Sequence, residues 1–317
     1  MRLFKQLLLF LFVMLVLGLA SIAIRAWINK EKAALTICPP DTKTLILGDS
    51  HARTALNPEF IRASFSSAQK AEELEYSYYK LKQALNTTNS LENIILTVSY
   101  FNFSSPVDNE AEMMKRYHRI IDESLYQDKA AYKEYSAAIR FRHLIDHKLP
   151  DYLPFGLLNS IIETWAEPMF VGGYELRSGS TIGQRRALDG AIQRHYYHGN
   201  SLRPISPLRT AYFNKIVKLC QQKKVRLWVI NTPLHLDYRA ELPPQTVSHY
   251  QKIMTQGEQE LILPNGQEPQ EKDQADFIYL DYSYLYLPDA YFFDYDHLNS
   301  EGASFFSQII DRLVNRN

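Results

Sequence analysis

Two cysteines in 317 residues, Cys38 and Cys220, leave little room for cysteine chemistry. They lie far apart, and neither belongs to a CxxC or other metal-ligand spacing. Each reads as a lone thiol rather than half of a disulfide. Excess charge of either sign is missing too. The 35 Lys and Arg balance the 35 Asp and Glu, so the chain lacks the electrostatic footprint of a nucleic-acid binder. No cofactor and no metal is expected from these features. What is present, 46% hydrophobic residues against 22% charged, is enough for a sizeable globular core.

The amino terminus lacks charge over a long run. Between Gln6 and Ile24 there is none, and the flanks carry Arg2, Lys5 and Arg25. Nineteen helical residues would span about 28 Å, close to the hydrocarbon thickness of a bilayer. A cleaved signal peptide has a shorter apolar core and ends in a small-x-small site, which Ala20-Ser21-Ile22-Ala23 matches poorly. Residues 6–24 are therefore expected to form a retained transmembrane signal anchor, followed by a linker over 25–43. Arg2 and Lys5 before it oppose Arg25, Lys30 and Lys32 after it, so the charges do not fix its orientation.

Short apolar runs then alternate with helical periods. "TLIL" (44–47), "NIILTVSYF" (93–101), "VRLWVI" (225–230) and "FIYLDY" (277–282) read as buried strands. Leu74, Tyr78, Leu81 and Leu85 share a helix face, a second helix is expected over 208–222, and Phe305, Phe306, Ile309, Ile310 and Leu313 mark the last. The pattern predicts an α/β domain over 44–317, three-layer α/β/α with a parallel sheet and strand 44–47 central. A largely helical insertion is expected at about 104–205, and a polar, loop-like stretch at 256–275.

Ligands in such sheets sit beyond the carboxyl ends of the strands. "LILGDSHA" delivers Ser50 to that place. Gly-Asp-Ser is also ordinary turn chemistry, because Gly tolerates positive φ and Asp or Ser caps a helix. A serine nucleophile needs a base, and the base needs an orienting group. "FFDYDHLNSEGA" (292–303) offers both, with Asp294 three residues before His297 and ahead of the last helix. His51, next to Ser50, is expected to point elsewhere.

With both blocks in this order, the chain resembles the SGNH (GDSL-like) hydrolase superfamily. "ILGDSHA" and "DYDHLNSEGA" match its first and last blocks at Gly48, Asp49, Ser50, Asp294 and His297. The resemblance covers about 36–103 and 206–317. It implies a flavodoxin-like α/β/α fold, with Ser50 as nucleophile, His297 as general base and then acid, and Asp294 as orienting carboxylate. The motif lacks the second glycine of the Gly-x-Ser-x-Gly elbow. The family's oxyanion donors, a glycine amide and an asparagine, have no plain match. The donors here would be the Ser50 amide, an amide or hydroxyl near Ser66 or Ser67, and Ser99 or Asn102.

An anchored domain of this kind is similar to proteins that move acyl groups onto or off envelope polymers. That implies an extracytoplasmic esterase or O-acyltransferase, periplasmic or at the cell surface, with an acylated glycan as substrate and a membrane acyl-donor protein as a further partner. Tyr174, Arg177, His195, Tyr196, Tyr197 and His198 of the insertion would suit a glycan or anionic polymer. Two other readings stay open: a non-catalytic anchored protein that binds polymer or a partner, and a structural membrane protein whose Gly-Asp-Ser is only a cap.

Overall fold

The computed structural model describes residues 2–104, 172–256, 259–262 and 277–315. Residues 105–171, most of the expected insertion, lie outside them. Two compact units divide the chain, Met1–Thr36 with Met114–Val171, and Ile37–Met113 with Gly172–Asn317.

The amino-terminal run forms a helix, α1 (Arg2–Ile37), all but its last residue in the first unit. In the first unit its side chains are described over 4–20, where almost all are exposed and apolar. Among the described residues no helix is long and apolar enough to cross a membrane.

The second unit is built on a six-stranded sheet: β1 (Thr44–Leu47), β2 (Ser64–Ser66), β3 (Asn93–Thr97), β4 (Arg226–Asn231), β5 (Gln259–Ile262) and β6 (Phe277–Asp281). The spatial order is β2-β1-β3-β4-β6-β5, and every pair is parallel. β1 is therefore interior but one strand from the edge, not central. All four residues of β1 and all five of β3 are buried, as expected of strands covered on both faces.

Helices α2 (Ser50–Ala55), α3 (Leu74–Thr87), α4 (Arg185–Tyr196), α5 (Pro207–Lys223), α6 (Leu236–Ala240), α7 (Pro244–Gln256) and α8 (Ser300–Val314) join or flank the strands. Ile46, Ile95, Ile230 and Leu280 of the sheet share one core with Ala52 and Leu56 near α2 and with Phe306, Ile310 and Val314 of α8. Burying each large side chain contributes roughly 1.5–3 kcal/mol. α3 and α5 meet each other through Tyr79 and Tyr212, whose hydroxyls are 3.2 Å apart. This α/β arrangement is compatible with three layers.

Two strands escape the sequence pattern. β2 is only Ser-Phe-Ser, held by register with Thr44–Ile46 rather than by its own apolar content. β5 falls inside the stretch read as a polar loop; pairing with β6 makes it the sheet's edge. Of the expected insertion, residues 185–196 are helical and a short antiparallel ribbon pairs Tyr197–His198 with Ser201–Leu202.

The sheet order places its turning point between β1 and β3. The chain leaves β1 for β2 on one side and returns past β1 to β3 on the other. The crevice beyond the carboxyl ends of these two strands is where this topology opens.

Candidate active site

β1 ends because Gly48 takes φ +130°, a conformation that L side chains rarely adopt. A Cβ there would also lie 2.2 Å from Thr97 Oγ1, so the close approach of β1 to β3 needs glycine. Asp49 then caps α2 by accepting from the His51 amide at 2.9 Å. Ser50 becomes the first residue of that helix, where a backbone N–H has no intrahelical partner. The turn chemistry is real, and it also aims the serine.

The other half of the site is a closed loop before α8. Asn299 caps α8 by accepting from the amides of Glu301 and Gly302, each at 3.1 Å. Phe293 N–H donates back to the His297 carbonyl at 2.9 Å. Inside this loop the Asp294 carboxylate accepts from the His297 amide at 2.8 Å and from His297 Nδ1 at 2.9 Å. With its proton drawn to Nδ1, the ring presents Nε2 as an acceptor. Ser50 Oγ lies 2.8 Å from that Nε2. The three residues picked out by sequence converge.

Burial would raise the Asp294 carboxyl, but the hydrogen bond and charge of His297, the Asp296 amide and Arg177 outweigh it and hold it well below the usual range. Arg177 Nη1 stands 3.7 Å from Asp294 Oδ2, and its guanidinium lies over the Phe293 ring at 4.7 Å. The segment that carries Arg177 straps the two halves together. Glu175 N–H donates to the Arg53 carbonyl at 2.8 Å, and Ser300 N–H donates to the Arg177 carbonyl at 2.8 Å.

The expected oxyanion donors divide. The Ser67 amide donates to the Ile46 carbonyl at 2.9 Å and the Ser67 carbonyl accepts from the buried Lys80, so that amide belongs to the sheet and is not an oxyanion donor. The Ser66 hydroxyl is buried and makes no hydrogen bond. Asn102 donates through Nδ2 to Asp49 Oδ2 at 3.0 Å and accepts the Ser99 amide on Oδ1. It ties the helical turn after β3 to the serine turn. Ser99 lies just past the carboxyl end of β3, the strand paired with β1 in the register Leu47↔Leu96. The Ser99 side chain is buried at the cap of the turn that carries Asn102.

Of the six insertion residues read as polymer-facing, His195 and Tyr196 are buried, Tyr174, Arg177 and Tyr197 are partly buried, and only His198 is exposed. His195 packs face to face on Phe101, ring centroids 4.2 Å apart, which removes it from solvent.

Sequence reasoning set His51 aside as pointing elsewhere and passed over Asp296. His51 stacks on His297 with centroids 4.8 Å apart. Burial would lower its pKa, but the charge and hydrogen bond of Asp49 and the charge of Asp296 raise it. Asp296 is pushed up by burial and by Asp294, against the pull of His297 and His51. The signal available was the second carboxylate inside Asp-x-Asp-His.

No protein-family model matches the chain, and no curated protein matches it.

Proposed function

We propose that the protein is a serine esterase or O-acyltransferase with an SGNH-like, flavodoxin-type α/β/α domain. The single observation behind this reading is the continuous chain Ser50 Oγ–His297 Nε2 at 2.8 Å and His297 Nδ1–Asp294 at 2.9 Å. Nucleophile, base and orienting carboxylate stand in the geometry that activates a hydroxyl.

In this mechanism Ser50 Oγ attacks an ester carbonyl while its proton passes to His297 Nε2. The tetrahedral oxyanion forms near the Ser50 amide and the Ser99 hydroxyl. Collapse breaks the bond to the leaving alcohol, which takes the proton from His297, and an acyl-serine remains. Water or a sugar hydroxyl then gives its proton to His297 and attacks that acyl group, and Ser50 recovers its proton. Asp294 stabilises the imidazolium that forms twice in each cycle.

The uncharged run Gln6–Ile24 supports a retained anchor, and the extracytoplasmic side is taken from the resemblance to anchored envelope proteins alone. An anchored esterase of this type would act on acyl, acetyl-like esters of an envelope or extracellular glycan, alone or with a membrane acyl-donor protein. A fluorophosphonate probe tests the chemistry. It should label Ser50 in the full chain and fail on Ser50→Ala; an unlabelled, folded wild type removes the catalytic reading.

A second reading, a non-catalytic polymer- or partner-binding protein of the same fold, draws on one observation. The Ser67 amide is bound within the sheet and Asn102 is engaged with Asp49 and Ser99. A site short of oxyanion donors loses about 10²–10³ in rate per donor.

A further inference from the structure

Beside the triad lies a cluster that acyl transfer does not use. Oδ2 of Asp296 is buried and accepts no hydrogen bond. Three imidazole nitrogens surround it: His297 Nδ1 at 3.5 Å, His51 Nε2 at 3.6 Å and His195 Nε2 at 3.8 Å. His51 Nε2 is itself buried and makes no hydrogen bond. Leaving one such atom unsatisfied costs about 1–3 kcal/mol, and more when it is charged. Two of them facing each other just beyond hydrogen-bond distance mark a place for something between them.

The spacing suits a metal ion. Nitrogen and oxygen ligands at about 2.0–2.2 Å from a tetrahedral zinc stand roughly 3.4 Å apart. Here His51, Asp296 and His297 each offer one atom, and all lie within 4.8 Å of one another.

The surroundings suit it as well. His51 Nδ1 lies 3.2 Å from Asp49 Oδ1, and a neutral ring with its proton held there would turn the Nε2 lone pair toward Asp296. Asp49 is held in turn by Asn102. Metal-binding histidines are oriented by this kind of carboxylate contact. His195 repeats the arrangement, with Nδ1 on the Tyr238 hydroxyl at 2.7 Å and Nε2 toward Asp296.

We infer that His51 Nε2, Asp296 Oδ2 and His297 Nδ1 form a site for a zinc-class divalent cation, with His195 in reach as a fourth ligand. To bind, His297 Nδ1 gives up its proton and with it the hydrogen bond to Asp294. Metal and triad therefore compete for one atom, and an occupied site turns the triad off. The inhibition rests on the proposed acyl transfer; the binding does not.

The test uses the detergent-solubilised full chain, stripped by a chelator and titrated with Zn²⁺ against a chromophoric competitor. Co²⁺ titration followed by visible absorption reports the ligand field in parallel. One Zn²⁺ per chain is expected, weakened at least tenfold by His51→Gln and by Asp296→Asn, with the Co²⁺ absorption lost in both. If either variant misfolds, the wild-type Co²⁺ spectrum still decides, since surface binding gives only the weak absorption of the hydrated ion. Fluorophosphonate labelling of Ser50 should fall as Zn²⁺ is added and return with chelator. No stoichiometric Zn²⁺, as a protonated His51–Asp296 pair would give, overturns the proposal. So does binding that both variants leave unchanged. Zinc binding in a chain whose metal-free form never labels at Ser50 keeps the metal site and removes the acyl-transfer reading instead.

Discussion

The Asn102 side chain donates to Asp49 Oδ2 at 3.0 Å, so the helical turn after β3 holds the turn that presents Ser50. Both residues are buried. Asn102→Ala would leave part of the Asp49 carboxylate without a donor, at a cost of about 1–3 kcal/mol. Thermal unfolding should register that loss. Turnover of a short acyl ester separates the two roles of this side chain. A kcat within tenfold of wild type marks Asn102 as a positioning residue, and a fall of about 10²–10³ marks an oxyanion donor.

Ser50→Ala and His297→Ala should each remove nearly all ester turnover while circular dichroism stays that of the wild type. The double variant should be scarcely worse than either single one, because the two residues act as a unit. Additive losses would mean that they do not. Asp294→Asn should also fall steeply, since the Nδ1 proton of His297 would lose its carboxylate acceptor.

The sequence carried the parts of the fold that rest on local pattern. β1, β3, β4 and β6 are apolar runs, and α8 has a clear apolar face. β2 and β5 owe their state to a neighbouring strand, and no local signal marks Ser-Phe-Ser or Gln259–Ile262 as sheet. In the site, Ser50, Asp294 and His297 were legible because turn and cap chemistry fixes them within a few residues. The Ser67 amide could not be judged without the β1–β2 register, which commits it to Ile46. Arg177 reaches Asp294 across more than a hundred residues, and Asp296 meets His195 only through the fold.

A retained anchor makes a direct prediction for the first unit. The purified chain should keep residues 6–24, fractionate with membranes, and lose residues 44–317 to protease added from outside the cytoplasmic compartment. A soluble mature chain with a new amino terminus near residue 24 would show instead that the run is a cleaved leader.

Acid should weaken the fold through Asp49. Burial alone would raise this carboxyl, but the His51 charge and the hydrogen bonds from His51 and Asn102 outweigh it and hold it at about 2, below its ordinary 3.8. A carboxyl depressed in the folded state binds protons more tightly when unfolded. Its contribution is therefore complete above pH 3.8 and is lost as pH falls through about 2. The shift corresponds to a loss on the order of 2 kcal/mol. Asp294, held low by His297, its neighbouring amide and Arg177, acts in the same direction. Denaturant unfolding at pH 5, 4, 3 and 2 should show stability falling most steeply below pH 4. Asp49→Asn should start less stable, because the His51 ring loses its carboxylate, and should lose less on acidification. Equal slopes for wild type and Asp49→Asn would mean that the Asp49–His51–Asn102 contacts do not carry the acid sensitivity.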